Sequence, residues 1–126
     1  MSQKPEHFAV WTEIPVTDMD CAIAFYNEVF NMDLKKDETG PNPMAVFPTQ
    51  NPDTGVSGHL YPGKPPAKGT GPTVHMASPD KLENALQRVT TAGGEVLSEA
   101  ITIPPGRFAY CLDPDGNSIG IFEYKS

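Results

Sequence analysis

The first periodic segment of the chain, HFAVWTEIPV (residues 7–16), alternates between an apolar and a mixed face. Its apolar face is formed by Phe8, Val10, Thr12, Ile14 and Val16. This alternation predicts a strand with one thoroughly apolar side. The spacing then becomes helical, with an apolar stripe running from Met19 to Phe30. Asp18 stands where an N-cap acceptor is expected, and the helix should end near Asn31.

Strand and turn signals follow in an order that the chain uses twice. Further strands are predicted at residues 33–38, 44–49 and 56–61, separated by the GPNP and NPDTG turns. The Pro- and Gly-rich segment 62–72 has the composition of a linker. After it come a strand at 73–77, a helix with a stripe from Leu82 to Ala92, a Gly93-Gly94 stop, and strands at 95–103, 107–112 and 118–124.

The second half of the chain is predicted to be a copy of the first. A shift of 62 positions carries NPD (residues 51–53) onto DPD (residues 113–115), Asp18 onto Asp80 and Gly58 onto Gly120. One extra residue near Lys81 makes the shift 63 inside the helix. We therefore predict an α+β fold in a single domain, residues 1–126, made of two β-α-β-β-β modules. Module 1 spans about residues 7–61, the linker 62–72, and module 2 about 73–126.

Composition narrows the class of partner. The net charge of -7, with no Lys/Arg cluster, disfavours nucleic acid and anionic membranes, which both require a cationic surface. No apolar run is long enough for a signal peptide or a membrane span, so we expect a soluble, cytoplasmic protein. Cys21 and Cys111 show no metal or redox spacing, and both are expected to be buried, apolar side chains.

Three segments resemble one known family. EIPVTDMDCAIAFYNEVFNM, LENALQRVTTAGGEV and DPDGNSIGIFE are similar to parts of the glyoxalase / bleomycin-resistance / extradiol-dioxygenase superfamily, also called the vicinal oxygen chelate superfamily. The resemblance implies that two modules pair into a curved eight-stranded sheet, with helices on the convex side and a cleft on the concave side. It also implies a homodimer, in which the linker could let modules swap between chains.

The family's enzymes hold a divalent metal in that cleft through His or Glu from the first and last strands of each module. The resemblance places the four ligand positions at Trp11, Gly58, Thr73 and Gly120. A catalytic site commonly needs three His, Asp, Glu or Cys donors, and none of these four residues is one. We therefore expect a metal-independent cleft, without a cofactor, that binds a small organic molecule.

Two alternatives stay open, and with them the question of whether the protein is an enzyme. One is a lyase, isomerase or dioxygenase that holds Zn, Ni, Mn or Fe through displaced ligands such as Glu13, His59 and His75. The other is a sequestering dimer of the bleomycin-resistance kind. Glu123, which has the opposite parity to Gly120, is a poor replacement ligand.

Glu13 and His75 are the strongest candidates for polar groups of the cleft. Each lies two residues beyond a family ligand position and therefore on the same strand face. The pair is predicted to form the polar end of the cleft beside Trp11, or else to make structural hydrogen bonds, and is a weak candidate for acid–base catalysis. His59 is expected to point to the helix side, as a structural or edge residue.

Arg107 and Tyr110 are two further candidates for the cleft. They have opposite parity on one strand, so only one of them can face it. Arg107 would anchor an anionic ligand and Tyr110 would contact an aromatic one. Thr73 and Phe122 are further predicted lining residues. The DPDGN segment (residues 113–117) is expected to serve as turn chemistry.

Overall fold

The computed structural model describes residues 4–126, so residues 1–3 of the predicted domain lie outside the described part. Its helices are α1 (Met19–Phe30) and α2 (Leu82–Thr91). Its strands are β1 (Trp11–Val16), β2 (Ala45–Val46), β3 (Ser57–Pro62), β4 (Val74–Ala77), β5 (Glu95–Val96), β6 (Ile101–Ile103), β7 (Gly106–Leu112) and β8 (Ser118–Tyr124). The α+β class is confirmed. Neither helix within residues 4–126 has the length and apolar character that a membrane span requires.

Hydrogen bonding divides the strands into two sheets. The first has the order β1-β3-β2, and the second has the order β4-β8-β7-β5 with β6 also paired to β7. The pairs β1/β3 and β4/β8 are parallel, and the other pairs are antiparallel. Parallel pairing arises because a helix lies in the connection between the two strands. The single curved eight-stranded sheet implied by the family resemblance is not confirmed by this pairing.

Two predicted strands are shorter in the structure, since residues 7–16 form a strand only from Trp11 and residues 44–49 only at Ala45–Val46. Two others differ for local reasons. Residues 33–38 form only one bridge, between Asp37 and Met44. The amide side chain of Asn27 holds the backbone of Leu34 at the end of α1, with Leu34 N–H donating over 2.6 Å, so the chain leaves the helix without entering a ladder. Residues 95–103 are split into β5 and β6, because the Ser98 hydroxyl accepts the Tyr110 N–H that a continuous strand would have used.

The helix ends show which side chains stop and start the helices. Asp18 caps α1 by accepting from Cys21 N–H over 3.0 Å, and Asn31 ends it in the left-handed region at φ 52°. Helix α2 has no side-chain cap of its own at Lys81. Instead Glu123 of β8 accepts the Leu82 N–H over 2.9 Å, so the sheet supplies the cap.

The predicted burial of the cysteines holds for one of the two. Cys111 is fully buried in β7, and burial raises the pKa of its thiol to about 11. Cys21 is exposed on α1, so the prediction for it was wrong. The apolar stripe of α1 passes through Ala22 and Phe25, which turns the preceding residue toward solvent.

Both halves of the chain contribute to one hydrophobic core between the helices and the sheets. Its largest fully buried side chains are Tyr26, Phe25, Leu60, Leu82, Ile119 and Ile121. Three of these come from residues 11–62, the N-terminal half, and three from residues 74–124, the C-terminal half. Neither half could bury its apolar strand face without the helices, because a sheet face needs a covering layer.

Asp113 joins the two halves at the buried edge of this core. Its carboxylate accepts from Tyr26 O–H over 2.8 Å, from the Asn117 amide over 3.0 Å, and from the backbone N–H groups of Asp115 and Asn117. The same Asn117 amide also donates to the Pro15 carbonyl of β1 over 2.8 Å. The DPDGN turn therefore connects helix α1 and strand β1 of one half to strands β7 and β8 of the other.

The predicted linker is fixed to this turn. Gly69 N–H donates to the Gly116 carbonyl over 2.9 Å. Gly116 has φ 84°, and a Cβ there would lie 3.0 Å from the Cα of Lys68. A glycine is required at residue 116 both by the left-handed conformation and by the close passage of the linker.

We expect Asp113→Asn to destabilise the protein by about 2–3 kcal/mol, because hydrogen bonds to a charged acceptor are the strong ones. An amide has one acceptor oxygen, so its NH₂ group would face two of the four donors. Urea unfolding followed by circular dichroism measures the loss. Asp115→Asn is the matched control, since Asp115 accepts from Thr17 at an exposed position. Equal losses in the two variants would contradict this account.

Candidate functional site

Each sheet has one face on the core and one that points away from the helices, which we call its outer face. The strand register assigns Trp11, Glu13, Val46, His59 and Tyr61 to the outer face of the N-terminal half. It assigns His75, Ile101, Ile103, Phe108, Tyr110, Gly120, Phe122 and Tyr124 to that of the C-terminal half. All the sequence-predicted lining residues except Arg107 lie on this side of the strands.

In the N-terminal half, three side chains form a cluster, Trp11–His59–Glu13. The Trp11 indole N–H donates to Nδ1 of His59 over 2.9 Å. On the other side of the ring, His59 Nε2 lies 3.4 Å from Glu13 Oε2. The His59 side chain is 10% exposed and that of Glu13 is 68% exposed, so the cluster has a buried base and an open rim.

The placement of His59 corrects the sequence prediction, which put it on the helix side. β1 pairs Glu13 with His59, and β4 pairs His75 with Gly120, so His59 is the structural counterpart of Gly120. The strand register therefore relates the last strands of the two halves by a shift of 61 positions, one fewer than the predicted 62. Gly58 faces the core, where a Cβ would overlap the Thr12 carbonyl oxygen.

In the C-terminal half, the outer face carries a row of five rings, which we call the aromatic row: His75, Tyr110, Phe108, Phe122 and Tyr124. The His75 and Phe108 centroids are 5.0 Å apart at 90°, and Phe108 and Phe122 lie nearly parallel at 6.1 Å. Tyr110 is 37% and Tyr124 71% exposed, while Phe108 is buried beneath them. The row therefore offers an open apolar surface with fixed ring orientations.

Gly120 and His75 occupy adjoining positions under this row. A Cβ at residue 120 would overlap Nδ1 of His75, so the imidazole fills the space into which a side chain of residue 120 would extend. Beside them the hydroxyls of Thr73 and Ser118 are hydrogen-bonded to each other at 2.5 Å. The imidazole of His75 thus occupies the space beside Gly120, where the family resemblance placed a metal ligand.

The predicted pair of Glu13 and His75 is not joined by a hydrogen bond or an ion pair within residues 4–126. Glu13 contacts His59, and His75 contacts Phe108 and Tyr110. The sequence named His59 only as a displaced metal ligand of the enzyme alternative and expected it on the helix side, because its parity was counted from an NPD/DPD match that does not extend into the strand. The HLY sequence after Gly58 alternates as the strand does, and this signal could have indicated it.

Arg107 lies on the helix side of β7, opposite in parity to Tyr110. Its guanidinium donates to Glu123 over 2.7 and 2.9 Å and to Glu83 over 2.5 and 2.7 Å. These bonds lower the pKa of Glu83 to about 2. An open groove of about 520 Å³ at the ends of β6, β7 and β8 is lined by Arg107 together with Ile103 and Tyr124. Arg107 thus borders the outer face with its donors already engaged.

The residues present do not fit the family's divalent metal. Within residues 4–126, no three His, Cys, Asp or Glu side chains converge into a possible metal set. The Trp11–His59–Glu13 cluster contains two possible metal ligands, His59 and Glu13. Trp11, Thr73 and Gly120 have no side chain of the kind that these metals prefer. The side chains present at the site therefore differ in kind from the ligands that the family's metal requires.

Comparison with known proteins agrees with this fold. A family model described as the glyoxalase/bleomycin resistance protein/dioxygenase superfamily matches residues 5–121. A glyoxylase-like domain-containing protein from Didymella fabae is 29% identical, over 86% of this chain and 88% of that protein. The chain therefore belongs to the glyoxalase/bleomycin resistance protein/dioxygenase superfamily.

The solved structures that share this fold include both a glyoxalase/bleomycin resistance protein and an antibiotic binding protein. A glyoxalase/bleomycin resistance protein from Albidiferax ferrireducens T118 superposes with a TM-score of 0.71 at 17% identity, covering 92% of this chain and 98% of that one. TnmS3, an antibiotic binding protein from Streptomyces sp. CB03234, superposes with a TM-score of 0.62 at 24% identity, covering 98% and 100%. At these identities the likeness establishes the fold alone.

We expect Gly120→Ala to destabilise the protein by about 1 kcal/mol, because the exposed His75 ring would have to rotate away from Phe108 and Tyr110. The added methyl group would overlap the His75 ring, so His75→Ala should remove most of that cost in the double variant. Thermal or urea unfolding of the two single variants and the double variant measures the coupling between the two positions. Additive losses would show that residue 120 does not compete with His75 for space.

The ion pair of Glu83 with Arg107 predicts a specific pH dependence of stability. Hydrogen bonds from Arg107 hold the pKa of Glu83 at about 2 in the folded protein, against its usual 4.5. Because the folded pKa is the lower one, the stabilisation is complete above about pH 4.5 and is lost as the pH falls toward 2. Glu83→Gln should therefore flatten the stability profile in this window and change its slope little above it. Urea unfolding as a function of pH tests this.

Proposed function

We propose that this protein is a binding protein for a small, planar, uncharged organic molecule, which it holds on the outer face without a metal ion. The aromatic row is the observation that carries the proposal. It presents two partly exposed tyrosines and an exposed histidine, supported from below by Phe108 and Phe122. A planar ring system can stack on such a surface at little cost in side-chain entropy, because neighbouring rings already fix the orientations.

Charge on the outer face supports an uncharged ligand over an anion. The described strand residues on this face include two with formal charge, Glu13 and Glu95. Lys68 pairs with Glu95 over 3.1 Å, which leaves Glu13 as the open carboxylate. Arg107, the anchor expected for an anionic ligand, is held by two glutamates on the other side. An anion would therefore lose hydration here without gaining a cationic partner.

The binding class is also supported by TnmS3, an antibiotic binding protein that shares the fold over nearly the whole chain. The competing class is a metal-dependent lyase, isomerase or dioxygenase. It is favoured by the two adjacent donors, Glu13 and His59, and it needs a third donor that would have to come from a second chain or from the substrate.

We further propose that a second copy of the chain completes the cleft. On the outer face, large apolar side chains are exposed at Trp11, Val46, Ile101, Ile103, Tyr110 and Tyr124. A homodimer would cover part of this area and could bring the two outer faces together as one curved eight-stranded sheet. Light scattering coupled to gel filtration measures the oligomeric state, and a monomer at all concentrations would remove this part of the proposal.

The probes we would use are phenanthrene and phenanthrene-9-carboxylate, which share one planar skeleton and differ in charge. We expect phenanthrene to bind, with affinity unchanged in excess chelator, and the carboxylate to bind at least about tenfold more weakly. Tyr110→Ala should weaken phenanthrene binding by about five- to tenfold, because it removes one partly exposed ring of the row. Probe fluorescence measures these affinities.

Phe8→Ala is the matched control, since it removes an exposed aromatic ring outside the row and should leave binding unchanged. Equal affinity for the two probes would contradict the charge argument. Loss of binding in chelator, together with about one equivalent of metal in the purified protein, would replace the binding proposal with the metalloenzyme.

A further inference from the structure

We propose that Trp11 fixes His59 in the form that carries its hydrogen on Nε2, which makes His59 a hydrogen-bond donor at the site. The indole N–H of Trp11 points at Nδ1 over 2.9 Å. An indole nitrogen can only donate, so Nδ1 must present its lone pair. An imidazole whose Nδ1 accepts is neutral, and its hydrogen is then on Nε2.

The fixed donor stands next to an acceptor. His59 Nε2 is 3.4 Å from Glu13 Oε2, which is longer than a good hydrogen bond and leaves both atoms free to take a closer partner. Glu13 reaches the open rim while His59 lies at its base. The N-terminal half therefore offers a ligand one N–H donor and one carboxylate acceptor, side by side.

The same hydrogen bond works against a metal ion on His59. To coordinate a metal through Nε2, the ring would have to move its hydrogen to Nδ1, where it would face the Trp11 N–H. Histidines that bind metals normally donate their second N–H to an acceptor, and Trp11 offers none. Trp11 thus acts as a positioning residue. It holds His59 as a hydrogen-bond donor through Nε2–H, a form that cannot bind a metal at that atom.

The His59 donor and the Glu13 acceptor indicate which chemical group a bound ligand would present to them. This inference rests on the proposed function. A lactam or cis-amide has a carbonyl oxygen beside an N–H group. The carbonyl would accept from His59 Nε2–H, and the N–H would donate to Glu13. A planar lactam therefore matches this pair, whereas its N-methyl derivative lacks the donor.

The first experiment needs no ligand. Long-range ¹H–¹⁵N correlation spectra of ¹⁵N-labelled protein near neutral pH distinguish a hydrogen on Nε2 from one on Nδ1. The chain has three histidines, so His59→Gln assigns the signals, and His7 and His75 serve as internal references. We expect the hydrogen of His59 on Nε2 in the wild type. In Trp11→Phe, which keeps an aromatic ring but removes the donor, we expect the ¹⁵N signal of His59 Nδ1 to shift, because Nδ1 no longer accepts a hydrogen bond.

Trp11 is 46% exposed, so the substitution should leave the fold intact, and the unchanged signals of His75 would verify this. A wild-type His59 with its hydrogen on Nδ1 would overturn the proposal. So would a Trp11→Phe spectrum identical to that of the wild type.

The second experiment compares phenanthridin-6(5H)-one, a planar lactam, with its N-methyl derivative and with phenanthrene. We expect the wild type to favour the lactam over the N-methyl compound by about tenfold. Glu13→Ala should reduce that preference to about twofold or less, and Trp11→Phe should reduce it in part because His59 is no longer held in place. Both variants should have a small effect on phenanthrene. Equal binding of lactam and N-methyl compound would overturn the assigned ligand class. If phenanthrene and the lactam both fail to bind, the proposed function is wrong, and the spectra alone then decide the role of Trp11.

Discussion

The carboxylate of Asp113 is the group on which the arrangement of this molecule depends. It lies at the buried junction of the two halves and accepts four hydrogen bonds, one of them from Tyr26 in the centre of helix α1. Burial raises the pKa of Asp113 above its usual value, and the surrounding donors oppose that effect by stabilising the carboxylate. Such a buried acceptor is stable only while all its partners are in place, so it fixes the position of α1 relative to the β7–β8 turn.

The outer faces of the two halves differ in their chemistry. Equivalent positions hold Glu13 and His59 in one half and His75 and Gly120 in the other. In the C-terminal half the missing side chain at residue 120 leaves room for the His75 ring, which extends the aromatic row. In the N-terminal half both positions are polar and Trp11 covers the histidine. One half is therefore suited to stacking and the other to hydrogen bonding.

Both arginines of the chain are engaged in tertiary contacts, so their guanidinium groups are not available to a ligand. Arg107 has the sequence features of an anion anchor, since it lies on a strand that ends at the DPDGN turn. In the structure its guanidinium joins Glu83 of α2 to Glu123 of β8, and Glu123 in turn caps the first turn of α2. Arg88 likewise bridges Asp80 and the Val29 carbonyl at the end of α1. Both cations thus hold the helices to each other and to the sheet.

The sequence by itself determined the two helices, most of the strands, the α+β class and the family, because these depend on local periodicity, caps and turn residues such as Asp18, Asn31, Gly93 and the DPDGN segment. It also placed Trp11, Glu13 and His75 on one strand face, since side chains alternate along any regular strand, but it left open whether Arg107 or Tyr110 shares that face. Tertiary structure alone decided the partner of each strand residue. The pairing of β3 with β1 places His59 beside Glu13 on the outer face, and tertiary contacts set the offset between strands that are more than forty residues apart.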